Sequence, residues 1–194
     1  MLILASNSLI RRQLLEQAGI NFTALPSPFD EEKAKITLAH LSHPERALQL
    51  AEGKAKTVSN ANPHDYVIGA DQICADEHRT YDKPLTEKQA KQHLQHLQGK
   101  LHYQHSAACL FFAGKKIWEY CEIVTLKMRP LNDAEIAAYV QQDEPLQACG
   151  AYCYEKDGKF LFSEINGSES AIKGLPMQHL IAALQQFYPE SLPQ

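Results

Sequence analysis

The chain has 194 residues, of which 44% are hydrophobic and 22% charged. These fractions exclude a disordered or fibrous chain, and the length predicts a single domain over residues 1–194. Lysine and arginine total 19 against 23 for aspartate and glutamate, which gives a net charge of −4, and the chain has no long run of like charge. We therefore expect no nucleic-acid partner. A few cations focused in one pocket could still bind a small phosphorylated ligand.

The amino terminus and the cysteines bear on the compartment in which the protein works. The chain start has neither a basic leader nor a signal peptide's apolar run, and no segment reaches the ~18–20 apolar residues of a membrane span. We therefore expect a cytoplasmic protein without a membrane partner. The five cysteines contain no Cys-x-x-Cys pair, which argues against a zinc site and a disulfide framework and predicts buried free thiols.

The first elements of the chain form a strand–loop–helix pattern. Residues 2–5 predict a buried strand, and the polar segment 6–8 then leads into a helix over 11–18. Residues 20–25 predict a second strand. Two prolines and the acidic run 29–32 then predict a polar loop, a kind of segment that often holds a functional site.

The centre of the predicted sheet is the strand 66–70. It follows an amphipathic helix predicted over 43–59, where apolar residues recur at spacings of three and four. Asp71 and Gln72 come directly after the apolar strand residues. This order predicts polar groups at the carboxyl end of the strand, where open α/β sheets bind ligands.

The second half of the chain continues the mixture of helices and strands. Its predicted elements are, in order, a hairpin-like stretch at 81–84, a helix over 86–97, strands over 102–112 and 117–128, a helix over 133–141 capped by Asn132, strands over 148–154 and 160–165, and a helix over 176–187. The whole pattern predicts an α/β fold without internal repeats or an obvious linker.

Separated charged residues at strand edges and in loops are the main candidates for chemistry, although each one alone is more often a solvated charge. Asp71 stands out because an unpaired carboxylate beside a buried strand carries a large desolvation cost. A divalent cation, Lys54 or Lys83 could compensate that charge, and the alternative that Asp71 only caps a turn stays open. The set is Arg11, Arg12, Glu31, Lys54, Asp71, Lys83 and Glu155.

Two further patterns have a functional and a structural interpretation. Ser6 and Ser8 precede a helix, where hydroxyls and backbone N–H groups can bind a phosphate together with Arg11 and Arg12, although the same pattern also caps helices. It is not a Walker loop, because the glycines are missing. Nine histidines include the pairs His93/His96 and His102/His105. The first pair has no carboxylate in the arrangement of a zinc protease and the second alternates poorly with apolar residues, so we expect surface histidines.

Motifs along nearly the whole chain resemble those of the Maf family. The first is Leu-Ala-Ser-Asn-Ser-Leu-Ile-Arg-Arg-Gln-Leu-Leu over residues 4–15. The others follow in the family's order: Asp30-Glu31, Gly53-Lys54-Ala55, Gly69-Ala70-Asp71-Gln72, Lys83-Pro84, Gly150-Ala151-Tyr152 and Gly167-Ser168 with Gly174-Leu175-Pro176.

The resemblance implies a house-cleaning nucleoside triphosphate pyrophosphatase that cuts between the α- and β-phosphates. It implies an elongated central mixed sheet flanked by helices, with two lobes and a cleft, and a homodimer is plausible. Carried over by motif, Asp71 is the catalytic acid/base and a polar cleft contains Arg11, Glu31, Lys54 and Lys83. A divalent cation, Mg²⁺ or Mn²⁺, would sit on Glu31 and Asp71, and Ser6, Ser8, Arg11 and Arg12 would contact the nucleotide's phosphates.

Two residues, Gln72 and Glu155, indicate which nucleotide base the resemblance implies for the substrate. Members similar to dTTP/UTP pyrophosphatases have threonine and glutamine where this chain has Gln72 and Glu155. This pair instead resembles the 7-methyl-GTP branch, and a carboxylate suits a cationic methylated guanine. The alternatives are a dTTP/UTP pyrophosphatase and a non-catalytic nucleotide-binding regulator of cell division. Leu9 and the run 171–173 depart from the family pattern.

Overall fold

The computed structural model describes residues 1–193 and has an α/β architecture. Its strands are β1 (Leu2–Leu4), β2 (Thr23–Ala24), β3 (Tyr66–Ala75), β4 (Leu101–Phe112), β5 (Lys115–Met128) and β6 (Phe162–Asn166). Its α-helices are α1 (Leu9–Gln17), α2 (Glu31–Thr37), α3 (His43–Ala61), α4 (Glu87–Leu97), α5 (Asp133–Asp143), α6 (Glu169–Ile172) and α7 (Met177–Phe187). Short 3-10 turns lie at Cys149–Ala151, Asp157–Leu161 and Pro189–Ser191.

The strands form one open mixed sheet in the order β2-β1-β3-β4-β5-β6. β1 runs parallel to both neighbours, with Leu4 opposite Ala24 of β2 and opposite Ile68 of β3. β5 and β6 are antiparallel, with Leu126 opposite Ile165. The predicted α/β class with a central mixed sheet is therefore confirmed.

Two compact units can be distinguished by their internal contacts. The first contains Met1–Gln72, Ser106–Glu122 and the chain from Gly174 onward, and the second contains Ile73–His105 and Ile123–Lys173. The core of the first unit includes Leu2, Leu4, Leu15, Ile68, Leu110, Leu180 and Leu184. That of the second includes Tyr81, Leu94, Leu97, Leu126, Met128, Val140 and Tyr152. A single domain over the whole chain stays a prediction.

Most predicted helices are confirmed, and several of them begin at a residue whose side chain caps the helix. Ser8 accepts a hydrogen bond from the Arg11 backbone at the start of α1, and Asn132 accepts one from the Glu135 backbone at the start of α5. Ser42 and Glu45 form a reciprocal capping box at α3. The predicted helices over 43–59, 86–97, 133–141 and 176–187 match α3, α4, α5 and α7 within a few residues.

Several predicted segments differ from the structure. Only Thr23–Ala24 of the predicted strand 20–25 pairs with a neighbour. The acidic run 29–32 is not wholly a loop, because Asp30 caps α2 and Glu31 is its first residue. The predicted strand 148–154 is wrong: Gly150 and Ala151 have φ values of 78° and 59°, and these left-handed values turn the chain and interrupt an extended strand.

Burial also corrects one expectation and supports another. His102 and His105 are not surface residues, because β4 lies inside the sheet and is buried along most of its length. Cys74 and Cys109 are buried, the other three cysteines are partly buried, and all five are free thiols. Within residues 1–193, no helix combines the length and the apolar character needed to span a membrane.

Candidate active site

The site is built around the ammonium group of Lys54, in the first unit. Lys54 lies on α3, and its Nζ is 2.6 Å from an oxygen of Asp71 on β3 and 2.7 Å from an oxygen of Glu31 on α2. Asp71 is only 5% exposed, whereas the Glu31 side chain is 36% exposed. The structure therefore brings together three of the residues selected from the sequence, and we call Glu31, Lys54 and Asp71 the charge cluster.

Asp71 lies inside its strand rather than at the strand's end. The apolar run continues past it through Ile73, Cys74 and Ala75, so β3 extends to Ala75. The predicted position at the carboxyl end is therefore wrong, and so is the alternative that Asp71 caps a turn. A carboxylate held in mid-strand makes the need for a compensating charge greater, and Lys54 provides that charge.

Gly69 explains how Lys54 reaches Asp71. A Cβ atom added to this residue would lie 2.2 Å from the Ala51 carbonyl oxygen and 2.7 Å from the Ala55 Cβ, both on α3. The missing side chain lets α3 pack closely on β3. Because Lys54 lies between the two contact points and Asp71 comes two residues after Gly69, this close approach places the two charged groups together.

The two carboxyl groups of the charge cluster respond to their surroundings in opposite directions. Burial raises the pKa of Asp71, and the nearby Lys54 and Arg11 only partly oppose this effect. Burial would also raise the pKa of Glu31, but Lys54 and Lys35 outweigh it and lower that pKa to about 2. Glu31 is thus an anion at any ordinary pH, while Asp71 is the more basic carboxylate, as a group that accepts a proton requires.

Arg11 ties the start of α1 to the neighbourhood of Asp71. Its Nε donates to the Gly174 carbonyl at 2.8 Å, and its Nη1 donates to the Ala70 carbonyl at 3.0 Å and to the Ser6 hydroxyl at 3.3 Å. The Ser6 hydroxyl also accepts from the Ser8 backbone N–H at 3.2 Å. Arg11 and both serines therefore form one hydrogen-bonded group next to the residue that precedes Asp71.

Arg12 and Gln72 lie in the same unit with different surroundings. The Arg12 Nε atom is buried and has no hydrogen-bond partner among residues 1–193. Gln72 is half-buried, and a Cβ added to Gly174 would lie 3.3 Å from its Oε1 atom and 3.4 Å from Arg11 Nε. The Gly174 backbone thus lies against both the Arg11 and Gln72 side chains.

Lys83 and Glu155 belong to the second unit. Both side chains are exposed. Neither residue forms a salt bridge with another residue of the described chain. Their predicted parts in catalysis and base recognition stay predictions.

Some of the site's supporting groups were not identified from the sequence. The Ala70 and Gly174 carbonyls that accept from Arg11 have no sequence signature, because every residue has a carbonyl. Gly69 did have one, since an isolated glycine inside an apolar strand indicates a close backbone approach. The first unit's site therefore depends on backbone positions as much as on charged side chains.

Residues 1–193 contain no group of three or more histidine, cysteine, aspartate or glutamate side chains arranged to hold a metal ion. What the charge cluster offers instead is a pair of carboxylates that converge on one ammonium. Such a pair suits Mg²⁺, which is often bound by one or two carboxylates and completes its shell with water and substrate phosphates.

Comparison with known proteins shows similarity along nearly the whole chain. The family model described as Maf-like protein matches residues 1–187. The chain belongs to the Maf family. Three curated relatives, each named nucleoside triphosphate pyrophosphatase, come from Legionella pneumophila strain Philadelphia 1, Nitrobacter hamburgensis and Maricaulis maris. They are 42%, 38% and 37% identical to this Maf chain over 94%, 95% and 94% of its length, and over 92%, 92% and 94% of theirs.

Proposed function

We propose that this Maf protein is a nucleoside triphosphate pyrophosphatase that hydrolyses the bond between the α- and β-phosphates. The observation that carries the proposal is the Asp71 carboxylate, buried in mid-strand and 2.6 Å from Lys54. A buried carboxyl group with a raised pKa next to a cation is typical of a catalytic acid/base. The relatives, which are named nucleoside triphosphate pyrophosphatase, support the same activity.

In this reaction Asp71 orients a water molecule and accepts its proton. The water oxygen forms a bond to the α-phosphorus while the bridging bond to the β-phosphate breaks, which releases a nucleoside monophosphate and pyrophosphate. Lys54 stays next to Asp71 and offsets negative charge on the phosphoryl oxygens. Phosphoryl transfer depends mainly on such positioning and electrostatic stabilisation.

Glu31 and Asp71 are the residues that would hold a divalent cation, Mg²⁺ or Mn²⁺. When bound, the cation would neutralise charge on the substrate's phosphates. Arg12 is a candidate phosphate ligand because its buried Nε atom has no hydrogen-bond partner among residues 1–193. Arg11 already donates to two backbone carbonyls, so we assign it mainly to positioning the Ala70–Asp71 backbone.

A product assay across a panel of nucleoside triphosphates, with and without Mg²⁺, tests this proposal. We expect equal amounts of nucleoside monophosphate and pyrophosphate, and turnover that depends on the added cation. Release of nucleoside diphosphate and inorganic phosphate would contradict the proposed bond cleavage. Tight nucleotide binding without turnover would instead favour the regulator of cell division.

For the substrate, we propose a modified guanine nucleotide, 7-methyl-GTP. The support is chemical: Glu155 is an exposed carboxylate, which can accept hydrogen bonds from a guanine N–H edge and complements the positive charge of a methylated ring. Gln72, directly after Asp71, adds an amide that can donate and accept. A dTTP/UTP pyrophosphatase is the alternative that the same panel separates.

The substitution Glu155→Gln tests the base preference with little change in side-chain shape. We expect the ratio of kcat/KM for 7-methyl-GTP to that for GTP to fall by about tenfold, since a charge-assisted contact is replaced by a neutral one. Glu144→Gln provides a control at another exposed glutamate of the second unit. An unchanged substrate ranking in Glu155→Gln would remove Glu155 from base recognition.

A further inference from the structure

Gly53 is a glycine in the middle of a long helix, where this residue is unfavourable compared with alanine. Its backbone does not require a glycine, because its φ lies outside the positive range. Instead, the ring of Phe29 occupies the space that a side chain at this position would need. A Cβ added to Gly53 would lie 2.4 Å from two ring atoms of Phe29 and 2.9 Å from a third.

The two contacting residues stand next to the charge cluster in the sequence. Phe29 comes two residues before Glu31, and Gly53 comes directly before Lys54. The contact between the Phe29 ring and Gly53 and the 2.7 Å ion pair between Glu31 and Lys54 therefore join the same two segments, the start of α2 and the middle of α3. If the ring moves away from α3, the start of α2 loses its apolar contact on the side that carries Glu31.

Few other contacts fix the position of α2, the helix that carries Glu31. None of the residues of α2 is buried, and the helix has only seven residues. At its start, Asp30 caps it by accepting from the Lys33 backbone, and the Ser27 hydroxyl accepts from the Phe29 backbone at 3.3 Å. These bonds shape the segment locally but do not attach it to α3.

We propose that Phe29, seated on the bare backbone of Gly53, is a positioning residue that holds Glu31 against Lys54. The inference rests on the proposed pyrophosphatase function, because Glu31 matters through the charge cluster. It adds to that function a pair of residues that stand beside the charge cluster in the sequence without belonging to it. Their contribution is to fix the entry of α2 and so the place of its first carboxylate.

Substituting Gly53 by alanine disturbs this contact, because the new Cβ atom would lie too close to the ring. The new methyl group would occupy the space of three ring atoms, so the half-buried ring must swing out toward solvent or carry its backbone with it. Both responses free the segment before Glu31. The fold itself survives, because alanine is the better helix former.

The test compares Gly53→Ala, Phe29→Ala and the double variant Phe29→Leu/Gly53→Ala in the full chain. For both single variants we expect kcat to fall by about 10–100-fold with a smaller change in KM, since misplacement by about 1 Å can cost this much. Backbone amides of α2 should exchange hydrogen faster. In the double variant, the smaller leucine side chain leaves room for the new alanine methyl group. This variant should therefore recover most of kcat and the slow hydrogen exchange of α2.

Lys56→Ala is the matched control, because it also places alanine on α3 but at an exposed position. It should alter neither kcat nor exchange in α2. The proposal is overturned if Gly53→Ala raises Tm by about 1–4 °C, as a helix-propensity change alone would, and leaves kcat and α2 exchange unchanged. Faster exchange with unchanged kcat overturns it as well.

Hydrogen exchange separates this proposal from the proposed function. If the native protein hydrolyses no nucleotide, the pyrophosphatase assignment fails, while the exchange of α2 in the three variants still reports whether Phe29 anchors the segment. If the native protein is active and the variants keep native kcat, the assignment stands and the positioning role fails.

Discussion

Two groups of buried polar side chains show how differently one sheet can hold polar chemistry. One is the charge cluster of the first unit. The other, which we call the neutral cluster, lies in the second unit around the Tyr152 hydroxyl, which is 2.7 Å from Gln104 Nε2 and 3.0 Å from His102 Nε2. His102, Gln104 and Tyr152 are 0%, 1% and 4% exposed.

The neutral cluster stays uncharged because burial opposes ionisation of its members. Burial lowers the pKa of His102 to about 4 and raises that of Tyr152 well above its usual value. We assign the hydrogen bonds one direction: the Gln104 amide donates to the Tyr152 oxygen, and the Tyr152 hydroxyl donates to Nε2 of neutral His102. No charge has to be removed from water.

The charge cluster bears the cost that the neutral cluster avoids. The Asp71 carboxylate and the Lys54 ammonium are largely removed from water, and replacing a whole buried ion pair by well-packed apolar residues is often neutral or favourable for stability. A costly arrangement of this kind is expected where function requires it. We therefore propose that the charge cluster serves the reaction and that the neutral cluster serves stability, and a single substitution can test each proposal.

The largest effect is expected for Asp71→Asn. This variant keeps the shape of the side chain but cannot accept the proton of the attacking water, so kcat should fall by about 10²–10⁴-fold. Because burial raises the pKa of Asp71, the ionised group costs stability at neutral pH, and Tm should stay at or above the native value. Pyrophosphate release and thermal unfolding measure the two effects.

Asp65→Asn is the matched control for that variant. Asp65 is in the same unit and forms an ion pair of 2.6 Å with the exposed amino terminus. Its loss should leave kcat unchanged and lower stability by less than about 1 kcal/mol, the ordinary value of a surface pair. Near-native turnover in Asp71→Asn would end the assignment of the charge cluster to the reaction.

An intermediate effect is expected from acidification, through His102. Its pKa is lower in the folded protein than in the unfolded chain, so the unfolded chain binds more protons between pH 6.5 and about 4. Stability is therefore full above pH 6.5 and is lost as the pH falls toward 4. From pH 7 to pH 5 the loss due to His102 should be about 2 kcal/mol.

The variant His102→Gln isolates this contribution, because glutamine can still accept from Tyr152 but does not titrate. Denaturant unfolding at pH 7 and pH 5 should show a smaller loss in the variant than in the native protein, by about 2 kcal/mol. Equal losses in the two proteins would show that His102 is not held neutral by burial.

The sequence predicted the members of the charge cluster better than those of the neutral cluster. Asp71 follows an apolar run, and this mismatch is visible in a sequence, whereas Glu31 and Lys54 were two of seven selected charges and the sequence did not decide whether a cation, Lys54 or Lys83 compensates Asp71. His102 resembles a surface histidine in the sequence, because burial on both faces of β4 depends on its neighbours in the sheet. Periodicity within a strand cannot predict which strands will lie on either side.

Local signals likewise explain which elements were predicted correctly. Helix ends such as those at Ser8 and Asn132 have side-chain caps, which a sequence displays. The wrong strand at 148–154 has apolar and aromatic residues typical of a strand, but Gly150 turns the chain there and its backbone N–H donates to the Tyr81 carbonyl. That long-range bond has no local signature.

The smallest effect is expected for Tyr152→Phe, which tests the neutral cluster directly. Removing the hydroxyl leaves the Gln104 amide without its acceptor and His102 without its donor, in a site that water does not reach, so the free energy of unfolding should fall by about 1–2 kcal/mol. Tyr154→Phe is the control, since its hydroxyl forms no hydrogen bond within residues 1–193. The kcat of folded Tyr152→Phe should equal the native value. A stable variant with reduced kcat would move Tyr152 into the reaction and remove the contrast between the two clusters.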